Sequence, residues 1–106
     1  MITAVIKKNS NTYLAFNCSG HAEYADKGYD IICSAVSMLT INTANSIMEL
    51  TDTDIDASEE EGYLSWTFKE RPDDKAVLLM DSLVLGLKTI EDTYSKEYLT
   101  LIIEEV

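Results

Sequence analysis

Residues 2–18 read ITAVIKKNSNTYLAFNC. The first part, 2–8, is β-branched and apolar and ends on two lysines. In 12–18, Tyr13, Ala15 and Asn17 alternate with Leu14, Phe16 and Cys18, the two-residue period of a strand with one face covered. The polar Asn9-Ser10-Asn11 between them suits a short turn. The stretch therefore predicts a β-hairpin, and the rest of the chain must supply the layer that covers it.

That layer is visible further on. Residues 19–29, SGHAEYADKGY, hold two glycines among polar residues and read as a loop. Asp30 is placed to cap a helix. After it Ile32, Val36, Leu39, Thr43, Ile47 and Leu50 recur at steps of three and four, with Ala35 and Met48 widening the stripe. A helix of about 20 residues is expected there. TDIDAS (53–58) and YLSWTFK (63–69) predict a second hairpin across the EEEG turn, with Leu64, Trp66 and Phe68 on its inner side. Glu59 to Glu61 read as a solvated turn. Pro72, Asp73 and Asp74 open a second helix, whose stripe is Val77, Met80, Val84, Leu87 and Glu91, flanked by Leu83 and Ile90. Gly86 inside it costs about 1 kcal/mol relative to alanine, and a close helix crossing would account for it. EYLTLIIEEV (97–106) is a closing strand. The expected order is β-β-α-β-β-α-β. Residues 1–106 would form a single two-layer α+β domain, with two helices on a sheet of about five strands.

Composition bounds the function. The chain is 46% apolar and 25% charged, as ordinary soluble proteins are. No apolar run is expected to approach the ~20 residues of a membrane span, and the first residues lack a secretory pattern, so a cytoplasmic protein is expected. The formal net charge is −11. It is concentrated after residue 50, where fifteen acids face five basic residues. Direct nucleic-acid binding is disfavoured, because phosphate contacts need clustered Lys and Arg, whereas a basic partner is favoured. Cys18 and Cys33 are expected to be free thiols in a reducing compartment. No zinc-ligand spacing is present, and neither metal nor cofactor is expected.

Both cysteines and the lone histidine fall within residues 18–33. Cys33, three residues after the expected cap, would lie in the first helical turn, where unpaired N–H groups and the helix dipole favour a thiolate. His21 is the one imidazole available as its base. N–H groups at the helix start could serve an oxyanion, and Gly20 would allow close backbone approach to a substrate. Against this, helix cysteines usually pack in cores, loop histidines usually face solvent, Asp30 as a cap needs no catalytic role, and Ser37 needs none either. Cys18, on the side of Leu14 and Phe16, reads as core.

The segments GHA (20–22) and GYDIICSAVS (28–37) resemble the ribosomal-processing cysteine proteases of the Prp family. That family's pattern is Gly-His-Ala, a loop, then Gly-x-Asp-x-x-Cys-x-Ala-x-Ser. It is matched by Gly20, His21, Ala22, Gly28, Asp30, Cys33, Ala35 and Ser37. The resemblance implies an endopeptidase that removes the short N-terminal extension of a basic large-subunit ribosomal protein and so supports ribosome assembly. It implies a Cys33–His21 dyad, with Gly20, Asp30 and Ser37 in the supporting or oxyanion region. It also implies a homodimer and a substrate-gating loop of Ala22, Glu23, Tyr24, Ala25, Asp26, Lys27, Gly28 and Tyr29. The competing class is a non-catalytic dimeric assembly or binding module for a basic ribosomal protein. A thiol redox sensor, with a reversible Cys18–Cys33 bond, is a third.

Overall fold

The computed structural model describes residues 1–20, 27–94 and 97–106, with 27–30 as backbone. Its elements are β1 (Ile2–Asn9), β2 (Thr12–Ser19), α1 (Lys27–Leu50), β3 (Ile55–Glu60), β4 (Tyr63–Phe68), α2 (Asp74–Thr93) and β5 (Leu99–Glu105). The expected α+β order is thus present. The five strands form one sheet in the order β3-β4-β2-β1-β5. The two hairpins are antiparallel and β2 pairs antiparallel with β4, while β5 runs parallel to β1 at the far edge.

The hairpin that opens the chain contains an irregularity the alternation did not predict. Lys7 pairs with Ala15 but Lys8 pairs with Tyr13, so Leu14 is an extra residue on β2. A bulge of this kind resets which face each residue takes. Tyr13, expected opposite to Phe16 and Cys18, is therefore buried like them. Its hydroxyl donates to the Asp81 carboxylate, and the Lys8 ammonium lies 4.8 Å from its ring centroid. Burial, the bond to Asp81 and that carboxylate's charge together push the phenol well above its ordinary range.

The core lies between one sheet face and the helices. Ala4 and Ile6 of β1, Phe16 of β2, Trp66 of β4 and Leu99 of β5 are covered by Ile32, Val36, Ala44 and Ile47 of α1 and by Ala76, Met80, Leu83 and Leu87 of α2. Phe16 and Trp66 are directly paired across the strands, with ring centroids 4.5 Å apart. Three residues of the expected α1 stripe, Ala35, Met48 and Leu50, are exposed, and Thr40 and Ala44 are buried instead. The buried hydroxyls are satisfied within the helix: Thr40 donates to the Val36 carbonyl at 2.8 Å and Thr43 to the Leu39 carbonyl at 2.7 Å. By length and composition Ile31–Leu50 would suffice to cross a membrane, with mean hydropathy 1.4, and here its inner side lies on the sheet.

Asp73 caps α2, as its position before the apolar stripe requires. Its carboxylate accepts from Ala76 N at 2.8 Å and from Asp52 N at 3.1 Å, while its own N–H donates to Thr53 Oγ1 at 2.8 Å. The bond from Ala76, first among these contacts, holds its carboxyl below the ordinary range. At the other end, Glu91 accepts the Leu101 N–H of edge strand β5 at 2.7 Å. The helix crossing inferred from Gly86 is present: a Cβ there would stand 2.8 Å from Leu39 Cδ2 of α1.

Candidate active site

The residue set that matters converges on one cleft of about 400 Å³. One wall is the first half of α1, presenting Cys33 and Ser37. Ile2 and Cys18, both buried, lie at its base with Gly20. Another wall is formed by the end of β3, the β3–β4 turn and the start of β4, Glu59 to Leu64.

Gly20 fixes the junction of these walls. Its N–H donates to the Gly62 carbonyl at 2.9 Å, which ties the end of β2 to the β3–β4 turn. Its φ is +108°, in the region that favours glycine, and an added Cβ would stand 2.2 Å from the Met1 carbonyl oxygen. The close approach that calls for glycine is thus made by the chain's own Met1.

Cys33 is a free, half-buried thiol, and Cys18 is free and buried. The Cys18 thiol is pushed up from 9.0 to about 11, first by burial and then by the charge of Cys33. At neutral pH Cys18 therefore stays protonated. Ser37, one turn beyond Cys33, is exposed in the cleft, and its carbonyl accepts from Thr40 Oγ1 at 3.3 Å. His21 and residues 22–26 of the expected gating loop lie outside the described residues.

The start of α1 differs from expectation. The helix begins at Lys27, so Lys27, Gly28 and Tyr29 are helical and not loop, and Asp30 stands inside the first turn and not before it. An apolar stripe marks where a helix meets the core, not where it begins; here the first turn precedes Ile32, the first of its residues found buried. Cys33 consequently lies in the second turn. Its N–H belongs to the helical ladder.

Residues 1–99 match the sequence model of the family described as Cysteine protease Prp. The chain belongs to that family. It is 32% identical over 101 residues to the ribosomal processing cysteine protease Prp of Bacillus subtilis strain 168, covering 89% of this chain and 90% of that one. Among solved structures it is similar to the ribosomal processing protease Prp of S. aureus bound to a substrate peptide. There the TM-score is 0.89 and identity 26%, covering 98% of this chain and all of that one. The S. aureus protein with a covalently linked product peptide gives a TM-score of 0.87 and 27% identity over the same shares. The Prp match takes in both motif segments, residues 20–22 and 28–37.

Sequence reasoning missed two parts of this Prp cleft. Cys18 is in the core as expected, but it also faces the cleft. Glu59, Glu60 and Glu61 are exposed as expected, but Glu59 and Glu60 end strand β3 and only Glu61 is in the turn, and all three line the cleft. A long-range bond, Gly20 to Gly62, brings that turn to the motif, and no local pattern in the sequence encodes it.

Proposed function

We propose that this chain is a cytoplasmic cysteine endopeptidase that removes the short N-terminal extension of a large-subunit ribosomal protein. The observation that carries the reading is Cys33, a half-buried free thiol opening on a cleft in a chain of a cysteine protease family. The relatives named as ribosomal processing proteases, one with a substrate peptide, support the substrate class. So does the acidic wall, since a ribosomal protein segment is basic and opposite fields steer encounter.

In this mechanism Cys33 Sγ attacks the scissile carbonyl carbon while His21 takes the thiol proton. The carbon–nitrogen bond breaks as His21 protonates the leaving amine. Water, deprotonated by the same imidazole, then hydrolyses the thioester and regenerates the thiol. Gly20, Asp30 and Ser37 serve the supporting region, and the segment ahead of α1, residues 22–26, gates the substrate. The cleft needs no metal or cofactor for this chemistry.

A homodimer belongs to the same proposal. Ile31, Met38 and Met48 on the outer side of α1 are 60%, 70% and 50% exposed, an apolar surface suited to a second copy. Incubation of purified protein with a synthetic peptide spanning the extension junction tests the function by mass spectrometry. Two products from a single internal bond are expected; an intact peptide after prolonged incubation would refute the reading. Sedimentation tests the dimer, which Met38→Asp should weaken.

A further inference from the structure

We infer that Cys18 is a resolving thiol for Cys33, so that the cleft is a site of reversible oxidation by a hydroperoxide. Three observations place the two sulfur-bearing residues together. Both line the same cleft. Cys18 belongs to the buried cluster against which Cys33 packs. Cys18 also lies on the buried side of β2 with Phe16, the side that the helices cover. Their exposures differ in the sense such a pair needs, since half-buried Cys33 is reachable from solvent and Cys18 is not. The influence of Cys33's charge on the Cys18 proton is consistent with this placement.

The chemistry is a two-electron oxidation. The Cys33 thiolate attacks the outer peroxide oxygen; a sulfur–oxygen bond forms, the oxygen–oxygen bond breaks, and the alcohol or water leaves after taking up a proton. The Cys18 sulfur then attacks the Cys33 sulfenic acid. A sulfur–sulfur bond forms, and the hydroxyl departs as water with the Cys18 proton. One peroxide is reduced and two thiols are oxidised. A disulfide requires the two Cα atoms within about 7 Å. Bond formation joins the second turn of α1 to the end of β2 and consumes the nucleophile. Without a resolving thiol, continued peroxide takes Cys33 to the sulfinic acid, which thiols do not reverse. Intracellular disulfides of this transient kind act in sensing.

Intact-mass and peptide-cleavage measurements on the full chain, before and after hydrogen peroxide, test this. Lys27 separates the two cysteines, so trypsin puts them on different peptides. The wild type should become two hydrogens lighter and yield one disulfide-joined peptide pair. It should lose activity and recover most of it with dithiothreitol. Cys18→Ala, scored against its own untreated activity, should instead gain two oxygens on the Cys33 peptide and recover nothing. A wild type that gains oxygens and yields no joined pair overturns the proposal, and this arm needs no second variant to fold. The activity arm alone rests on Cys33 as the protease nucleophile. If the proposed function fails while the joined pair forms, the oxidation site stands.

Discussion

The Met1 carbonyl oxygen and Gly20 stand so close that a Cβ at residue 20 would be 2.2 Å from that oxygen. The obstacle is backbone, which a rotamer change cannot relieve, and the φ of +108° disfavours any L side chain as well. Gly20→Ala should therefore destabilise the fold by at least about 2 kcal/mol, since strained dihedrals and overpacking each cost on the order of 1–3 kcal/mol. Urea denaturation checks it. Because Gly20 also bonds Gly62 at the cleft and precedes His21, peptide cleavage should fall further than the fraction unfolded explains.

The acidic wall should show itself in salt. Replacing Glu59, Glu60 and Glu61 together by glutamine should lower kcat/KM on a peptide with basic residues by roughly threefold to tenfold, as exposed charge contacts are individually small. The loss should appear mainly in KM. It should shrink above about 1 M salt, where screening acts over about 3 Å. An unchanged KM at low salt would remove these residues from substrate binding.

Gly86 and Leu39 should be coupled. Alanine is favoured over glycine in a helix by about 1 kcal/mol, but here its Cβ meets the Leu39 methyls at 2.8 and 3.2 Å. Gly86→Ala should gain little in the wild type and about the full 1 kcal/mol in a Leu39→Ala background. A double-mutant cycle by denaturation reads the difference as an interaction energy.

The buried Cys18 thiol sets a pH limit on stability. Unfolded, it ionises near 9.0; folded, near about 11. Its contribution is thus fully present below pH 9 and is lost as pH rises toward 11, because ionisation then favours the unfolded chain. At about 1.4 kcal/mol per unit the full loss is on the order of 3 kcal/mol. Tyr13 acts in the same sense at still higher pH, so the measurement is the difference between wild type and Cys18→Ala across that range. In the folded protein at pH 8, iodoacetamide should label Cys33 well before Cys18.

The fold was legible because the local periods agreed with the final layers. The strands 2–8, 12–18 and 63–69, both helices and the closing strand all carried their pattern in the chain. The departures have local or long-range physical causes. One inserted residue, Leu14, turned Tyr13 inward. Helix α1 begins at Lys27, ahead of the stripe's first residue Ile32, so the stripe understated the helix and placed Cys33 one turn too early. At the site, the residue types of the motif pointed to Cys33 and its cleft partners Gly20 and Ser37. The acidic wall and the opening of Cys18 onto the cleft were not legible, because they depend on how β2 pairs with β4 and on how the helices lie over the sheet.

The central claim is that Cys33 is the nucleophile and His21 its base. The most direct measurement is the single-turnover rate of cleavage of a peptide spanning the extension junction, compared among wild type, Cys33→Ala, Cys33→Ser and His21→Ala. Loss of a nucleophile or its base typically removes at least about a thousandfold in rate. The account predicts a drop of that size in all three variants, with circular dichroism unchanged. Undiminished cleavage by Cys33→Ala or Cys33→Ser would contradict it.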